Sequence, residues 1–226
     1  YLYTNNKLQI ILFIYYIMLI SLDFIVKKYN MNISGILHIG AHKCEELNKY
    51  KQHGLTNNKI IWVEGNPNLV KFISNMDDTI IIKNFICCDT DENESILNIS
   101  NNGQSSSILE LGTHKKHYPY IKYIDTIKVK NKRIDTMYKE DNIPNTFANF
   151  LNIDIQGAEL LALKGTGKIL HNFDYVYLEV NRDYVYKNCA LIKEIDDYLF
   201  KFNFKRVETK WTHENWGDAL YIKNNN

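Results

Sequence analysis

From residue 36 onwards, short apolar runs alternate with longer stretches whose apolar residues recur every few positions. A short apolar run bounded by turn residues is typical of a buried strand, whereas the longer pattern is typical of a helix packed on one side. Their alternation predicts an α/β fold with a mainly parallel, doubly wound sheet. The predicted strands are residues 36–39, 60–64, 80–88, 147–154 and 175–180, and the predicted helices are residues 45–53, 66–76, 133–140, 158–170 and 191–202.

The rest of the pattern predicts smaller elements around this sheet. Residues 95–99 and 125–129 favour additional strands, and residues 114–120 fit either a loop or a short helix. The last two apolar runs, residues 204–208 and 219–222, are expected to pair as a C-terminal antiparallel hairpin. The complete pattern therefore predicts a Rossmann-like sheet that ends in an antiparallel pair.

The first thirty residues differ from the rest, because residues 8–26 are almost entirely apolar. A helix that spans a membrane needs about 20 such residues. Three interpretations of residues 1–30 stay open: a membrane anchor, an apolar helix packed on the domain, or sequence upstream of a native start at Met31, since the chain begins with Tyr1. We expect residues 31–226 to form the folded domain.

The composition is that of one folded cytoplasmic domain. The chain has 226 residues, of which 45% are hydrophobic and 23% charged, and this length is enough for one full core. A formal net charge of +1 argues against a surface that binds nucleic acid. No CxxC pair or Cys/His cluster is present, which favours reduced thiols and no metal site. The cysteines are Cys44, Cys87, Cys88 and Cys189.

A tight turn is predicted directly after the first strand, at Gly40 and Ala41. A strand that feeds a helix through such a turn places the helix N-terminus at the carboxyl edge of the sheet, where α/β folds bind nucleotide-like ligands. Glu64 ends the second strand, roughly twenty residues later, where a carboxylate can accept both hydroxyls of a ribose. The alternative for Glu64 is an exposed charge at a strand end, but the turn at Asn66 favours the ribose.

A second polar cluster follows the fourth main strand, where Asp154 is succeeded by Gly157 and Glu159. A carboxylate at the end of a buried strand is costly unless it has a partner or a function. Asp154 and Glu159 are therefore candidates to orient a substrate hydroxyl or take its proton, while the alternative for Glu159 is compensation of a helix dipole. Glu179, near the end of the fifth main strand, is expected to join Glu64 and Asp154 at the same sheet edge.

Histidines and a serine-rich loop add weaker candidates. His42, His114 and His117 are further acid–base groups, although a lone histidine in a loop is more often solvated. Residues 105–107 are serines in a polar loop that could close over a ligand, although most such loops simply face water.

These motifs together resemble the FkbM-type methyltransferases, a family of S-adenosylmethionine-dependent O-methyltransferases with a Rossmann-like fold. The resemblance covers about residues 36–222. Its most specific part is residues 152–165, which are similar to the family's pattern Lys-x-Asp-x-Glu-Gly-x-Glu followed by Leu-Lys-Gly. Further matches are the glycine turn at residues 38–42, the acidic strand end at 63–67, the serine loop at 104–107 and the closing strand at 216–220.

The resemblance implies a class I methyltransferase fold, S-adenosylmethionine as the cofactor, and a hydroxyl of a sugar, glycan or other small molecule as the acceptor. It implies that Asp154 and Glu159 are the catalytic residues, with no metal. The residues implied to contact the cofactor are His38, Gly40, Ala41, His42, Glu64, Asn66, Asp154 and, near the adenine, Cys88 and Asp89. The residues implied to contact the acceptor are Ser106, Ser107, Gln156 and Glu179.

Three residues depart from the family pattern. His38 replaces a frequent acidic residue, Cys44 replaces a glycine, and Gln156 replaces the central glutamate of the acidic motif. One alternative is therefore a Rossmann-like binding module without catalytic activity. Another is a nicotinamide-dependent oxidoreductase, but the turn lacks the later glycines that such enzymes use.

Overall fold

The computed structural model of the protein describes residues 18–224. These residues form ten strands and seven α-helices. The strands are β1 (Ile36–Ile39), β2 (Ile60–Glu64), β3 (Ile81–Asn84), β4 (Ile86–Cys87), β5 (Glu94–Ser100), β6 (Tyr123–Lys132), β7 (Phe150–Ile153), β8 (Tyr175–Asn181), β9 (Phe204–Trp211) and β10 (Trp216–Lys223). The helices are α1 (Leu22–Tyr29), α2 (Leu47–Gln52), α3 (Pro67–Met76), α4 (His114–His117), α5 (Ile134–Glu140), α6 (Glu159–Thr166) and α7 (Ile192–Phe200), with short 3-10 helices at Asn57–Lys59 and Gly167–Asn172.

The most apolar strands lie at the centre of the main sheet. Within residues 18–224 this sheet has seven strands, in the order β3-β2-β1-β7-β8-β10-β9. β1 pairs in parallel with β2 and β7, so that Ile36 lies opposite Ile60 on one side and Phe150 on the other. All four residues of β1 are buried, as expected for a parallel strand covered on both faces. The predicted doubly wound, mainly parallel sheet is confirmed.

The C-terminal hairpin forms the antiparallel side of the same sheet, as predicted. β10 pairs in antiparallel fashion with β8 and β9, and this register places Asp218 opposite Glu179. β1, β2, β3, β7 and β8 run parallel to one another. Their carboxyl ends therefore meet at one edge of the sheet, and the polar residues that follow these strands come together there.

Helices cover both faces of the sheet. α5, α6 and α7 cover one face and contribute Met137, Leu163 and Leu199 to its core. α1, α2 and α3 lie on the other face, where Tyr50 and Ile73 are fully buried. Removal of these apolar surfaces from water on both sides of the sheet is the main source of stability in such a fold.

The N-terminal part of the described chain is built into this second layer. α1 buries Leu22 and Ile25 in the same apolar cluster as Trp62 of β2. The hydroxyl of Tyr29, at the end of α1, donates to the Glu208 carboxylate of β9 at 2.7 Å. α1 is therefore part of the hydrophobic core and not an appendage to it.

The structure describes only part of the segment 1–30, so the three interpretations of that segment are tested only for residues 18–30. Residues 22–29 have the structure of a helix packed on the domain, and the domain boundary at Met31 stays a prediction. Residues 1–17 lie outside the described residues, and what was predicted for them stays a prediction. Within residues 18–224, no helix is long and apolar enough to cross a membrane.

One predicted strand is wrong in extent, because residues 80–88 form two strands that belong to different sheets. β3 is the edge of the main sheet, whereas β4 pairs with β6 in a three-stranded sheet of the described residues. The break follows Asn84, whose side-chain Nδ2 donates to the carbonyl oxygens of Glu64 and Gly65 at 2.8 and 3.0 Å. These bonds hold the chain at the end of β2 while Phe85 leads it into the second sheet.

One predicted helix is also shorter than expected. Residues 158–170 were predicted to be helical throughout, but α6 ends at Thr166 and a 3-10 helix follows. Gly167 has a φ of +52°, which lies outside the right-handed helical region and interrupts the α-helix.

Ile25→Ala is expected to destabilise the protein far more than Phe24→Ala, its neighbour on α1. Ile25 is 0% exposed and Phe24 is 49% exposed. Truncation of a buried isoleucine to alanine costs about 2–5 kcal/mol, whereas most surface substitutions stay within about 0.5 kcal/mol. Urea unfolding of the two variants measures the difference. Equal losses in the free energy of unfolding would contradict the packing of α1 on the core.

Candidate active site

The turn after β1 brings two strand ends into contact. Gly40 has a φ of +95°, and a Cβ atom added there would lie 1.8 Å from the carbonyl oxygen of Asp154. The amides of Gly40 and Ala41 both donate to the carbonyl oxygen of Val63, at 2.9 and 3.0 Å. The turn is therefore fixed between the ends of β2 and β7, and no side chain stands between it and Asp154.

Glu64 is held at the end of β2 by two backbone amides. Its Oε2 accepts a hydrogen bond from the His42 amide at 2.8 Å, and its Oε1 accepts one from the Asn66 amide at 2.7 Å. Asn66 also caps α3, because its Oδ1 accepts from the Asn68 amide at 3.0 Å. Burial raises the pKa of the Glu64 carboxyl, although the two amides act in the opposite direction. The carboxylate is thus fixed in one orientation beside the turn.

A cleft opens next to this carboxylate, and we call it the Glu64 cleft. The turn, the end of β2, the chain between β3 and β4, and the loop before α4 all contribute to its walls. Its polar lining includes Glu64, Asn66, Ser106, Ser107 and Asp154, and its apolar lining includes Leu69, Phe85, Ile86, Cys87, Leu97 and Ile155.

A second space, which we call the carboxylate cavity, lies on the other side of Asp154. Five acidic residues line it, together with histidines and aromatic side chains. The acidic residues are Glu45, Glu46, Asp154, Glu179 and Asp218. The residues that line both the Glu64 cleft and this cavity are Gly40, His42, Gln104, Asp154 and Gln156. The two spaces therefore meet at the turn and at Asp154.

Gln156 connects the carboxylates of Asp154 and Glu179. Its Nε2 lies 2.6 Å from Asp154 Oδ1 and 3.2 Å from Glu179 Oε2, and its Oε1 accepts from the Tyr186 hydroxyl. Burial raises the pKa of Glu179 well above its usual value. A glutamate at position 156 would add a third carboxylate, whereas the amide donates to both neighbours and keeps them in place.

Asp218 is held by the N-terminal segment and by β8. Its Oδ2 accepts from the Leu19 amide at 2.7 Å and also from the Tyr177 hydroxyl. The same hydroxyl lies 3.2 Å from the Ile20 amide nitrogen. Leu19 and Met18 line the carboxylate cavity, so the segment before α1 forms part of its wall.

The loop before α4 lies against the junction of the two spaces. Ser107 Oγ donates to the carbonyl oxygen of Gln156 at 2.8 Å, and a Cβ added at Gly103 would lie 3.0 Å from His42 Nε2. Ser106 and Ser107 face the Glu64 cleft and are absent from the described lining of the carboxylate cavity. The family resemblance implied that these two serines contact the acceptor. The structure places them instead in the Glu64 cleft, on the side of Glu64.

Cys88 and Asp89, which were implied to lie near an adenine, do not line either space in the described chain. The amide of Cys88 donates to the carbonyl oxygen of Lys132 at 3.2 Å, and the carbonyl oxygen of Asp89 accepts from Arg133 at 2.8 Å. Both residues follow β4 and are bonded to the end of β6 and to Arg133 directly after it. Cys87, one residue earlier, lines the Glu64 cleft instead.

Glu159 also differs from its implied position. It is 2% exposed, and its Oε1 accepts from the amides of Ile155 and Gly157 at 3.2 and 3.0 Å. It is absent from the described lining of both spaces. Its carboxylate holds the turn that follows Asp154, and burial raises its pKa to about 7.

His38 lies on the side of the carboxylate cavity and not in the Glu64 cleft. Its ring stacks on Trp62 with 4.5 Å between centroids, and its Nδ1 lies 2.9 Å from the Tyr50 hydroxyl oxygen. Burial lowers the pKa of His38 to about 3, so the ring is neutral at neutral pH. Ala41 is buried and contributes only its backbone.

Sequence reasoning missed several residues of the carboxylate cavity. Glu46, Tyr177, Tyr186 and Asp218 line it, yet none was a candidate. The signal for Asp218 was its place in the closing strand of the family pattern, opposite Glu179. Of the candidate histidines, His42 and His114 line the cavity, whereas His117 is absent from its described lining.

A sequence model of the methyltransferase FkbM domain matches residues 38–206. No curated protein matches the chain. The methyltransferase FkbM from Methylobacillus flagellatus has a similar fold, with 13% identity and a TM-score of 0.53. That similarity covers 84% of this chain and 43% of the other, so this chain spans less than half the length of that protein.

Two other solved structures have a similar architecture. Magnesium protoporphyrin IX methyltransferase from Synechocystis, solved with bound S-adenosylmethionine, is 8% identical over 89% of this chain and 76% of that chain, with a TM-score of 0.48. Fibrillarin from Aeropyrum pernix, with natively bound S-adenosylmethionine, is 11% identical over 84% of this chain and 66% of that chain, with a TM-score of 0.48.

The family match spans the parts of the chain that build the site. It contains the turn at Gly40, the strand end at Glu64, and the motif that begins at Asp154. It covers well over half of the chain, and the sheet order agrees with the fold implied by the resemblance. The chain belongs to the FkbM methyltransferase family.

Proposed function

We propose that the protein transfers a methyl group from S-adenosylmethionine to a hydroxyl oxygen of a sugar or another small molecule. The observation that carries this proposal is the position of Asp154. Its carboxylate lies where the Glu64 cleft meets the carboxylate cavity. A carboxylate between a cofactor site and an acceptor site is suited to orient a hydroxyl and to receive its proton.

The Glu64 cleft fits the nucleoside of the cofactor. Each Glu64 oxygen accepts one backbone amide, and a carboxylate oxygen can accept more than one hydrogen bond, so both remain able to receive ribose hydroxyls. The apolar side chains of Ile86 and Cys87 line the same cleft and offer a surface for the adenine. Gly40 lines both spaces with backbone atoms alone, so the turn presents its backbone to the methionine part.

When bound, S-adenosylmethionine supplies a methyl group that is already activated by a positively charged sulfur. The protein therefore mainly has to align the acceptor oxygen and exclude competing water. Asp154 would hold the acceptor hydroxyl and take its proton as the new C–O bond forms and the bond between the methyl carbon and the sulfur breaks, which leaves S-adenosylhomocysteine. Gln156 positions Asp154 through the 2.6 Å hydrogen bond.

Glu159 supports this site without touching the reacting atoms. Its hydrogen bonds to the amides of Ile155 and Gly157 hold the backbone in the conformation that presents Asp154 and Gln156. We therefore assign Glu159 a positioning role and leave Asp154 as the catalytic carboxylate.

Glu64→Ala is expected to weaken binding of S-adenosylhomocysteine by about tenfold or more. The change removes the acceptor for the ribose hydroxyls, and a hydrogen bond to a charged group contributes about 1.5–3 kcal/mol. Isothermal titration calorimetry measures the affinity. Glu140→Ala is the matched control, because Glu140 is exposed and pairs with Lys132 on the surface. Equal affinities for the two variants would remove Glu64 from the cofactor site.

Asp154→Asn is expected to lower the rate of methyl transfer by about 10²-fold or more, the usual contribution of a general base. Binding of S-adenosylhomocysteine should remain close to that of the unmodified protein, because the Glu64 cleft is intact. Transfer of labelled methyl groups to a panel of sugars and glycan extracts, with products identified by mass spectrometry, provides the assay. Unchanged turnover in Asp154→Asn would exclude this carboxylate from the reaction, and failure of the unmodified protein to methylate any hydroxyl would contradict the proposed activity.

A further inference from the structure

The carboxylate cavity, on the acceptor side of the site, is unusually acidic. Of the acidic residues that line it, only Asp154 also lines the cleft proposed for the cofactor. Glu46, Glu179 and Asp218 line the carboxylate cavity and are absent from the described lining of the Glu64 cleft. No lysine or arginine is found among the described residues that line the cavity. Asp154 lies at the junction and faces both ligands, and Glu45 pairs with His42 at 2.6 Å. The other three carboxylates, Glu46, Glu179 and Asp218, are left for the acceptor.

Buried carboxylates without cations are costly, and the local donors do not satisfy all of them. Glu179 accepts a hydrogen bond from the neutral amide of Gln156 at 3.2 Å. Asp218 accepts from the Leu19 amide and from Tyr177, and both of these donors are neutral. Clustered acids of this kind favour a ligand that carries positive charge, because such a ligand offsets both their mutual repulsion and their desolvation.

A histidine in the same cavity provides a second, independent observation. His114 is 4% exposed and lines the cavity, and its Nδ1 has no hydrogen-bond partner within residues 18–224. Burial, with a smaller contribution from His117, lowers the pKa of His114 to about 4. The ring is then neutral at neutral pH, and one of its nitrogens is an acceptor. A buried ring nitrogen without a partner indicates that a ligand supplies one, as donor or acceptor according to the tautomer of the ring.

Aromatic side chains complete the walls. Tyr118 and Trp216 line the cavity beside His114, and the ring of His114 lies 4.9 Å from that of Tyr118. Aromatic faces attract cations that lie within about 6 Å of the ring centre, and they also pack against the apolar faces of sugars. The cavity thus combines clustered carboxyl groups, hydrogen-bonding groups and aromatic surfaces.

We propose that the acceptor is a hydroxylated small molecule that carries a protonated amine. In this arrangement the amine is bound by Glu46, Glu179 and Asp218, and the hydroxyl is presented to Asp154. This inference rests on the proposed function and names the substrate class of the same site. A protonated amine has no lone pair, so the oxygen and not the nitrogen is methylated. Phosphorylated or carboxylated acceptors are disfavoured, because they would place like charges together.

Binding of such a ligand has a characteristic dependence on pH. Burial raises the pKa of Glu46 to about 8 and that of Asp218 to about 7, and a bound ammonium favours the ionised form of both. The complex therefore releases protons as it forms, and its affinity increases as the pH rises through this range. The other titratable or charged groups that face these carboxyls are Glu45, Asp154, Glu159, Glu179, Tyr50, Tyr177, Tyr186, His38, His42, His114 and the exposed Lys210 of β9.

The test compares three matched probes on the protein saturated with S-adenosylhomocysteine. The probes are glucamine, sorbitol and sorbitol phosphate, which share one polyol chain and carry a positive, zero or negative group. We expect calorimetry to show about tenfold or tighter binding of glucamine than of sorbitol, weakest binding of sorbitol phosphate, and stronger glucamine binding at about pH 8 than at about pH 6.

Two variants locate the effect and one serves as control. Glu46→Gln and Glu179→Gln keep the size of each side chain and remove its charge, so they should reduce the preference for glucamine over sorbitol severalfold. Glu140→Gln, on the surface, should not change it. Equal binding of glucamine and sorbitol, preference for the phosphate, or no binding of any probe would overturn the inference. Failure to bind S-adenosylhomocysteine would instead contradict the proposed function, and the inference would fall with it.

Discussion

The close contact between the turn after β1 and the end of β7 is the constraint on which the site depends. A Cβ at position 40 would lie 1.8 Å from the Asp154 carbonyl oxygen, and the φ of Gly40 is +95°, so only glycine fits without strain. With this contact in place, the His42 amide reaches the Glu64 carboxylate at 2.8 Å, and Asp154 emerges beside it. One steric requirement thus joins the end of β2 to the end of β7.

The same edge concentrates acidic groups, and the surrounding chain limits the cost of burying them. Gln156 donates to both Asp154 and Glu179, where a glutamate would have increased the repulsion. The Leu19 amide donates to Asp218. The segment before α1 therefore contributes to the wall of the carboxylate cavity as well as to the apolar core, and this links the stability of the second helical layer to the shape of the site.

The sequence predicts those parts of the site that local pattern determines. Gly40, Glu64 and Asp154 each lie at or directly after the end of an apolar run, and parallel pairing of those runs is enough to bring all three to one edge. The role of Asp218 could not be predicted in this way. It depends on the antiparallel register between β8 and β10 and on a contact with Leu19, which is 199 positions away in the chain. No local spacing records such a contact, so only the folded chain reveals that side of the cavity.

A crystal structure of the protein with S-adenosylhomocysteine bound tests the central claim most directly, namely that one sheet edge holds the cofactor on one side of Asp154 and the acceptor on the other. The account predicts ribose hydroxyls on Glu64, the adenine against Ile86 and Cys87, and the sulfur directed past Asp154 towards the carboxylate cavity. A nucleoside bound away from Glu64, or a sulfur directed away from that cavity, would contradict it.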